Sequence, residues 1–163
     1  MKQLFNFKIK LNREWENTSR IQEAVSNMVQ CALDDEHHPY IISMISTELL
    51  ENAIKYSASD FDETAPLLFS VSGDQNEIIV EVQNKIDDAQ KESIVDLDKT
   101  IQWIRGYQNP FEAYVERMKR VSKSSTDSSK LGMVRIAYEG SAIIDFILKA
   151  DNYLSVSATV LLT

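Results

Sequence analysis

The chain has 163 residues, 44% hydrophobic and 26% charged, with four Gly and three Pro, which suits one ordinary domain and excludes disorder or a repeat array. A formal net charge of -8 speaks against a nucleic-acid footprint, which needs clustered Lys and Arg, so the expected partners are proteins or a small ligand. No signal-peptide pattern and no long apolar run is present, which predicts a cytoplasmic protein that does not engage a membrane.

Residues 2–11, KQLFNFKIKL, mix aromatic and branched residues in an imperfect alternation and predict a first strand. Ser19 with Gln22 three residues on has the form of a capping box, and Ile21, Val25, Met28 and Ala32 continue a helical stripe that ends near Asp34. Cys31, the one cysteine, falls on the apolar side of that helix, so a disulfide framework is excluded and a reduced, buried thiol is expected. Asp34-Asp35-Glu36-His37-His38-Pro39 reads as a polar connector with two solvated histidines and no spaced third metal ligand, delivering Pro39 to a helix start.

The next helix, about 42–57, places Ile42, Ile45, Leu49, Ala53 and Tyr56 on an apolar stripe and Met44, Glu48, Asn52 and Lys55 on a neighbouring one. A carboxylate and a carboxamide one turn apart on a rigid element are able to hold a divalent cation and orient a water. An ordinary polar face accounts for the same residues. Residues 58–65 read as a polar turn, followed by LLFSV and IIVEV around Gly73-Asp74-Gln75-Asn76, an antiparallel hairpin.

Residues 89–121 read as a helical insertion. Ile94, Leu97, Ile101 and Ile104 form one stripe, Gly106 to Pro110 a break, and Phe111, Tyr114, Val115, Met118 and Val121 a second stripe. Trp103, Tyr107 and Phe111 are expected in core or lid packing rather than base stacking, and an apolar face left exposed here would be a partner site. Residues 122–130 are loop-like, Leu131 opens a helix, and 142–149 with 153–162 form a closing pair of strands across a polar turn.

The string ELLENAIKYS, through Glu48, Asn52, Ala53 and Lys55, resembles the N-box of the GHKL superfamily of ATPase domains, shared by histidine kinases, gyrase and the anti-sigma-factor serine kinases. The resemblance implies that Glu48 is catalytic, polarising the attacking group, and that Asn52 ligates magnesium. Residues 83–88 fall where that superfamily has its D-x-G-x-G box. Asn84 most nearly matches the aspartate that accepts from the adenine amine, while Lys85, Ile86 and Asp87 replace the glycines and their freedom of backbone approach. SKLGMVRIA resembles the second glycine box, with Gly132 retained and Ser128 or Ser129 and Lys130 at the earlier glycines. A helix start after such a loop binds phosphate through free N–H groups, and a loop simply capped into a helix is the plain alternative. The implied nucleotide-binding set is therefore Asn52, Lys55, Asn84, Asp87, Lys130 and Gly132, with ATP and magnesium as cofactors.

The order of elements implies an α+β fold, a two-layer α/β sandwich of the GHKL (Bergerat) type whose mixed, mostly antiparallel sheet is covered by helices on one face. Residues 1–163 form one domain, with the insertion at about 89–121 and a lid-like loop at 122–130. Within the superfamily the chain most resembles the anti-sigma-factor serine kinases and SiaB-like regulators, which implies a bacterial regulator of partner-switching type with a degenerate nucleotide site. Its implied partner is a STAS-domain antagonist, a sigma-factor-like regulator or another regulatory protein. The alternative is an active ATP- and magnesium-dependent serine protein kinase acting on a STAS-domain partner, and a third reading is a scaffolding domain. A symmetric homodimer is implied by the resemblance alone.

Overall fold

Alternating apolar residues place five segments in strands: β1 (Phe5–Leu11), β2 (Leu67–Gly73), β3 (Glu77–Lys85), β4 (Ile143–Lys149) and β5 (Tyr153–Leu161). In the computed structural model, which describes residues 4–56, 66–123 and 131–162, they make one sheet in the order β1-β2-β3-β5-β4. Every pairing is antiparallel, so the mixed component expected of the sheet is absent among the described residues. The reason is topological: the β4–β5 hairpin inserts its second strand beside β3, running against both neighbours. The edges are β1 and β4, and β5 lies inside the sheet although it comes last in sequence.

Local chemistry sets the two hairpin turns. Asp74 Oδ1 accepts the N–H groups of Asn76 at 2.7 Å and Glu77 at 3.0 Å, closing the β2–β3 turn. Asp151 and Asn152 take left-handed backbone, φ 65° and 61°, in the β4–β5 turn, a conformation that short polar side chains tolerate. One sheet face carries Phe69, Val71, Ile78, Val80, Val82, Val156, Ala158 and Val160 into the core. The helices cover that face.

The first helix, α1 (Glu16–Leu33), starts ahead of the expected capping box. Ser19 already lies in the first turn, its Oγ donating to Glu16 O at 3.1 Å, while Asn17 Nδ2 donates to Asn12 O at 3.2 Å across the helix start. The buried line is Ile21, Val25 and Val29. Cys31 lies two residues beyond Val29, roughly 200° around the helix, and is exposed rather than buried. Asp34 ends the helix in the left-handed region, its N–H on Gln30 O at 3.2 Å.

The central helix, α2 (His37–Tyr56), begins before Pro39, so His37 and His38 belong to its first turn rather than to a loop. Asp35 Oδ1 accepts the His38 N–H at 2.7 Å, which holds the Asp35 carboxyl below its ordinary range, and Oδ2 meets His38 Nδ1 at the same distance. Ile42, Ile45, Leu49 and Ala53 are buried as the stripe requires. Met44, expected on the polar stripe, joins the core as well.

The insertion forms α3 (Lys91–Arg105) and α4 (Pro110–Lys123), broken at Gly106 as expected. The buried side of α4, however, is Ala113 and Arg117, while Phe111 and Met118 stay exposed. Arg117 takes that place because its guanidinium stacks 4.6 Å from the Trp103 ring centroid, and Trp103 meets Tyr107 edge-on at 4.9 Å. The last helix is α5 (Leu131–Glu139). The expected turn at 58–65, most of the lid-like loop and Lys130 lie outside the described residues.

Candidate functional site

Between α2, α3, α5 and the core face of β3 and β5 lies a cavity of about 90 Å³, several times the room one ordered water needs. Leu49, Ala53, Val82, Ile94, Leu97 and Met133 give it apolar walls. Asn52 from α2 and Asn84 from the end of β3 both line it, so the structure brings together two of the residues singled out in sequence. Asn84 is 2% exposed, and its Nδ2 reaches Lys85 O at 3.5 Å, the outer limit of a hydrogen bond.

Glu48 sits one turn before Asn52 and does not line the cavity. Its Oε1 lies 3.2 Å from Arg135 Nη1 on α5, and Arg135 Nε donates to Glu139 Oε2 at 2.9 Å. Arg135 Nη2 also reaches the Tyr40 hydroxyl at 3.4 Å, so one guanidinium ties the first turn and the middle of α2 to α5. Burial pushes the Glu48 carboxyl above its ordinary value, Glu51 adds like-charge repulsion in the same direction, and Arg135 opposes both. The hydrogen bond to Glu139 holds the Arg135 guanidinium further toward its charged form.

Gly132 is buried in the first turn of α5, directly against Glu48: a Cβ there would run into Glu48 Oε2. The glycine expected to open a phosphate site thus makes room for a carboxylate of the chain itself. Lys55 is exposed in the last turn of α2 and lies off the cavity. Asp87 also lies off it, half-buried, with its N–H donating to Gln90 Oε1 at 2.9 Å. The set expected for a nucleotide therefore divides into Asn52 and Asn84 at the cavity, Glu48 and Gly132 packed together beside it, and Lys55 and Asp87 outside.

Sequence reasoning missed Arg135 and the contribution of α3. The spacing of Arg135 and Glu139, one helical turn apart, was a legible signal for the second ion pair. Gln90, just before α3, and Ser93, Asp96 and Thr100 on it line the cavity, and nothing in their own pattern announces this. Thr100 Oγ1 is satisfied within the helix, donating to Asp96 O at 2.8 Å. Among the described residues no cluster of three His, Cys, Asp or Glu forms a metal site, and no helix is long and apolar enough to cross a membrane.

These features define a two-layer α+β sandwich with a largely apolar cavity between its central helix and its sheet. No family model matches the chain, and no curated protein matches it significantly. Among solved structures, a chain of the SiaB–SiaC complex from Pseudomonas aeruginosa has the same fold, with a TM-score of 0.66 over 98% of this chain and 91% of that one at 16% identity.

Proposed function

We propose that this protein is a signalling regulator of partner-switching type, with a degenerate GHKL-like nucleotide site, that binds a STAS-like antagonist or another regulatory protein. The observation that carries this reading is the engagement of Glu48. A catalytic carboxylate must be free to polarise an incoming hydroxyl, and here it is paired to Arg135 and packed on Gly132. No Lys or Arg among the described residues lines the cavity to meet a phosphate chain. Phe111 and Met118, exposed on α4, supply apolar surface for a protein partner. The structure that shares the fold comes from a complex of two proteins.

The second reading, an ATP- and magnesium-dependent serine protein kinase, is favoured by one specific observation: Asn52 and Asn84 line the same cavity. In that reading Glu48 leaves Arg135 when the partner docks.

Calorimetric titration of the full chain with STAS-domain proteins, followed by incubation of any complex with magnesium ATP, separates the two. The regulator reading expects a complex and no phosphoryl transfer. Serine phosphorylation of the partner that disappears in Glu48→Ala would replace it with the kinase, and absence of any complex would exclude a STAS-domain partner under either reading.

A further inference from the structure

The two edge strands of the sheet, β1 and β4, meet solvent differently. On β1 the exposed Ile9 lies between Lys8 and Lys10, so pairing with a second copy about Ile9 would set lysine against lysine, a pattern that guards an edge. β4 has no such guard. Its Ile143, Ile147 and Leu148 are 55%, 60% and 49% exposed. Phe146 N–H donates to Asp145 Oδ1 at 2.9 Å and Ile144 O accepts from Arg105 Nη2 at 2.7 Å, so the main-chain groups of the even-numbered residues turn away from β5. Side chains rather than a strand meet them among the described residues.

We propose that β4 pairs antiparallel with β4 of a second copy about a two-fold axis at Ile147, continuing the sheet across a dimer. A two-fold contact has to complement itself, and this one does. Asp145 falls opposite the second copy's Lys149, and Lys149 opposite its Asp145. Within one chain these charges have only loose ionic contacts, Asp145 with Arg105 at 3.9 Å and Lys149 with Glu81 at 4.0 Å. Phe146 falls opposite Leu148, both with main-chain groups turned to the edge, so the two residues exchange N–H to C=O bonds. Phe146 N–H then leaves Asp145 Oδ1 for the Leu148 carbonyl, and the released carboxylate turns to lysine. Ile147 meets its own copy on the axis, at a non-hydrogen-bonded pair, where side chains approach most closely. No neighbouring register does the same: an axis at Asp145 opposes two aspartates, and one at Phe146 or Leu148 sets each charge against an isoleucine or past the strand end. Arg105, holding Ile144 O, limits the pairing to the middle of the strand, so the dimer is a weak one. No residue of β4 lines the cavity, and the interface stands whether or not a nucleotide binds.

The test is sedimentation of the full chain from low micromolar to near-millimolar concentration, with a charge swap across the axis. The parent is expected to pass from monomer to dimer over that range. Asp145→Lys and Lys149→Asp each put like charges opposite one another on both sides of the axis, and each should weaken the dimer by about tenfold or more. The two changes together restore opposite charges, and the dimer should return to within about threefold of the parent. Both side chains are exposed, so all three variants are expected to fold, and circular dichroism checks this. A dimer indifferent to the single changes sits on another face and overturns the proposal. Failure of the double variant to recover, or a monomer throughout the range, overturns it as well.

Discussion

Glu48 on α2 and Arg135 on α5, 87 positions apart in sequence, meet at 3.2 Å and tie the central helix to the last one. The Glu48 side chain is the more buried of the two, so it depends on Arg135 more than the reverse. Arg135→Met should therefore destabilise the protein by about 1 kcal/mol, a figure kept low because the guanidinium is partly screened by solvent. Urea unfolding at neutral pH reads this directly, and an unchanged midpoint would mean that the pair contributes nothing.

The same carboxyl predicts a pH dependence. Its folded pKa is raised, so the folded state binds the proton more tightly than the unfolded chain does. The associated stability is fully present below the ordinary glutamate pKa and is lost as pH rises through the raised folded value. Melting temperatures recorded across that mildly acidic window should fall less steeply in Glu48→Gln than in the parent, and more steeply in Arg135→Met. Parallel curves for all three would show that Glu48 does not titrate abnormally.

Two glycines of α5 and its end should respond differently to alanine. At Gly140 the new Cβ would meet Ile136 O at 2.6 Å and Ile45 Cδ1 at 2.9 Å, the first a backbone atom that cannot step aside. Gly140→Ala is expected to cost about 2 kcal/mol by overpacking the α5–α2 contact. At Gly132 the obstacle is the tip of the Glu48 side chain, which can rotate away, and alanine repays up to about 1 kcal/mol in helix propensity. Gly132→Ala should stay within about 1 kcal/mol of the parent while reducing the effect of a further Arg135→Met change, because the Glu48 contact is already gone and only those to Glu139 and Tyr40 remain to be lost. Additive losses in this double-mutant cycle would refute the contact.

Cys31 supplies a simpler check. Being exposed on α1, it should react fully with a maleimide in the folded protein, at a rate little changed by adding denaturant. Protection until unfolding would return it to the interior.

The parts of the fold that were legible in sequence are those set by neighbouring residues. LLFSV and IIVEV alternate with period two and became β2 and β3, and Ile42, Ile45, Leu49 and Ala53 repeat with helical period and are buried. Asn52, on the helix so predicted, and Asn84, at the end of a predicted strand, line the same cavity. What sequence could not show was decided by contacts between distant segments. Arg135 claims Glu48 across 87 positions, and Trp103 draws Arg117 into the interior of a helix whose apolar stripe pointed elsewhere. Cys31 was misplaced for a local reason: the stripe through Met28 and Ala32 skirts the true buried line of Ile21, Val25 and Val29, and that small rotation moves Cys31 into solvent.

The interior position of β5 bears on how the chain matures as it is made. Leu161 pairs with Glu77 and Lys149 with Tyr153, so among the described residues β5 supplies the only strand pairing between the β1–β2–β3 meander and β4. During synthesis the sheet therefore remains in two pieces until β5 has left the ribosome, with the apolar edge of β3 awaiting its partner. The earlier helices can collapse onto the meander in that interval. Completion of the core waits on β5, and until that strand pairs the open edge of β3 is the place where the nascent chain is most exposed to misassociation.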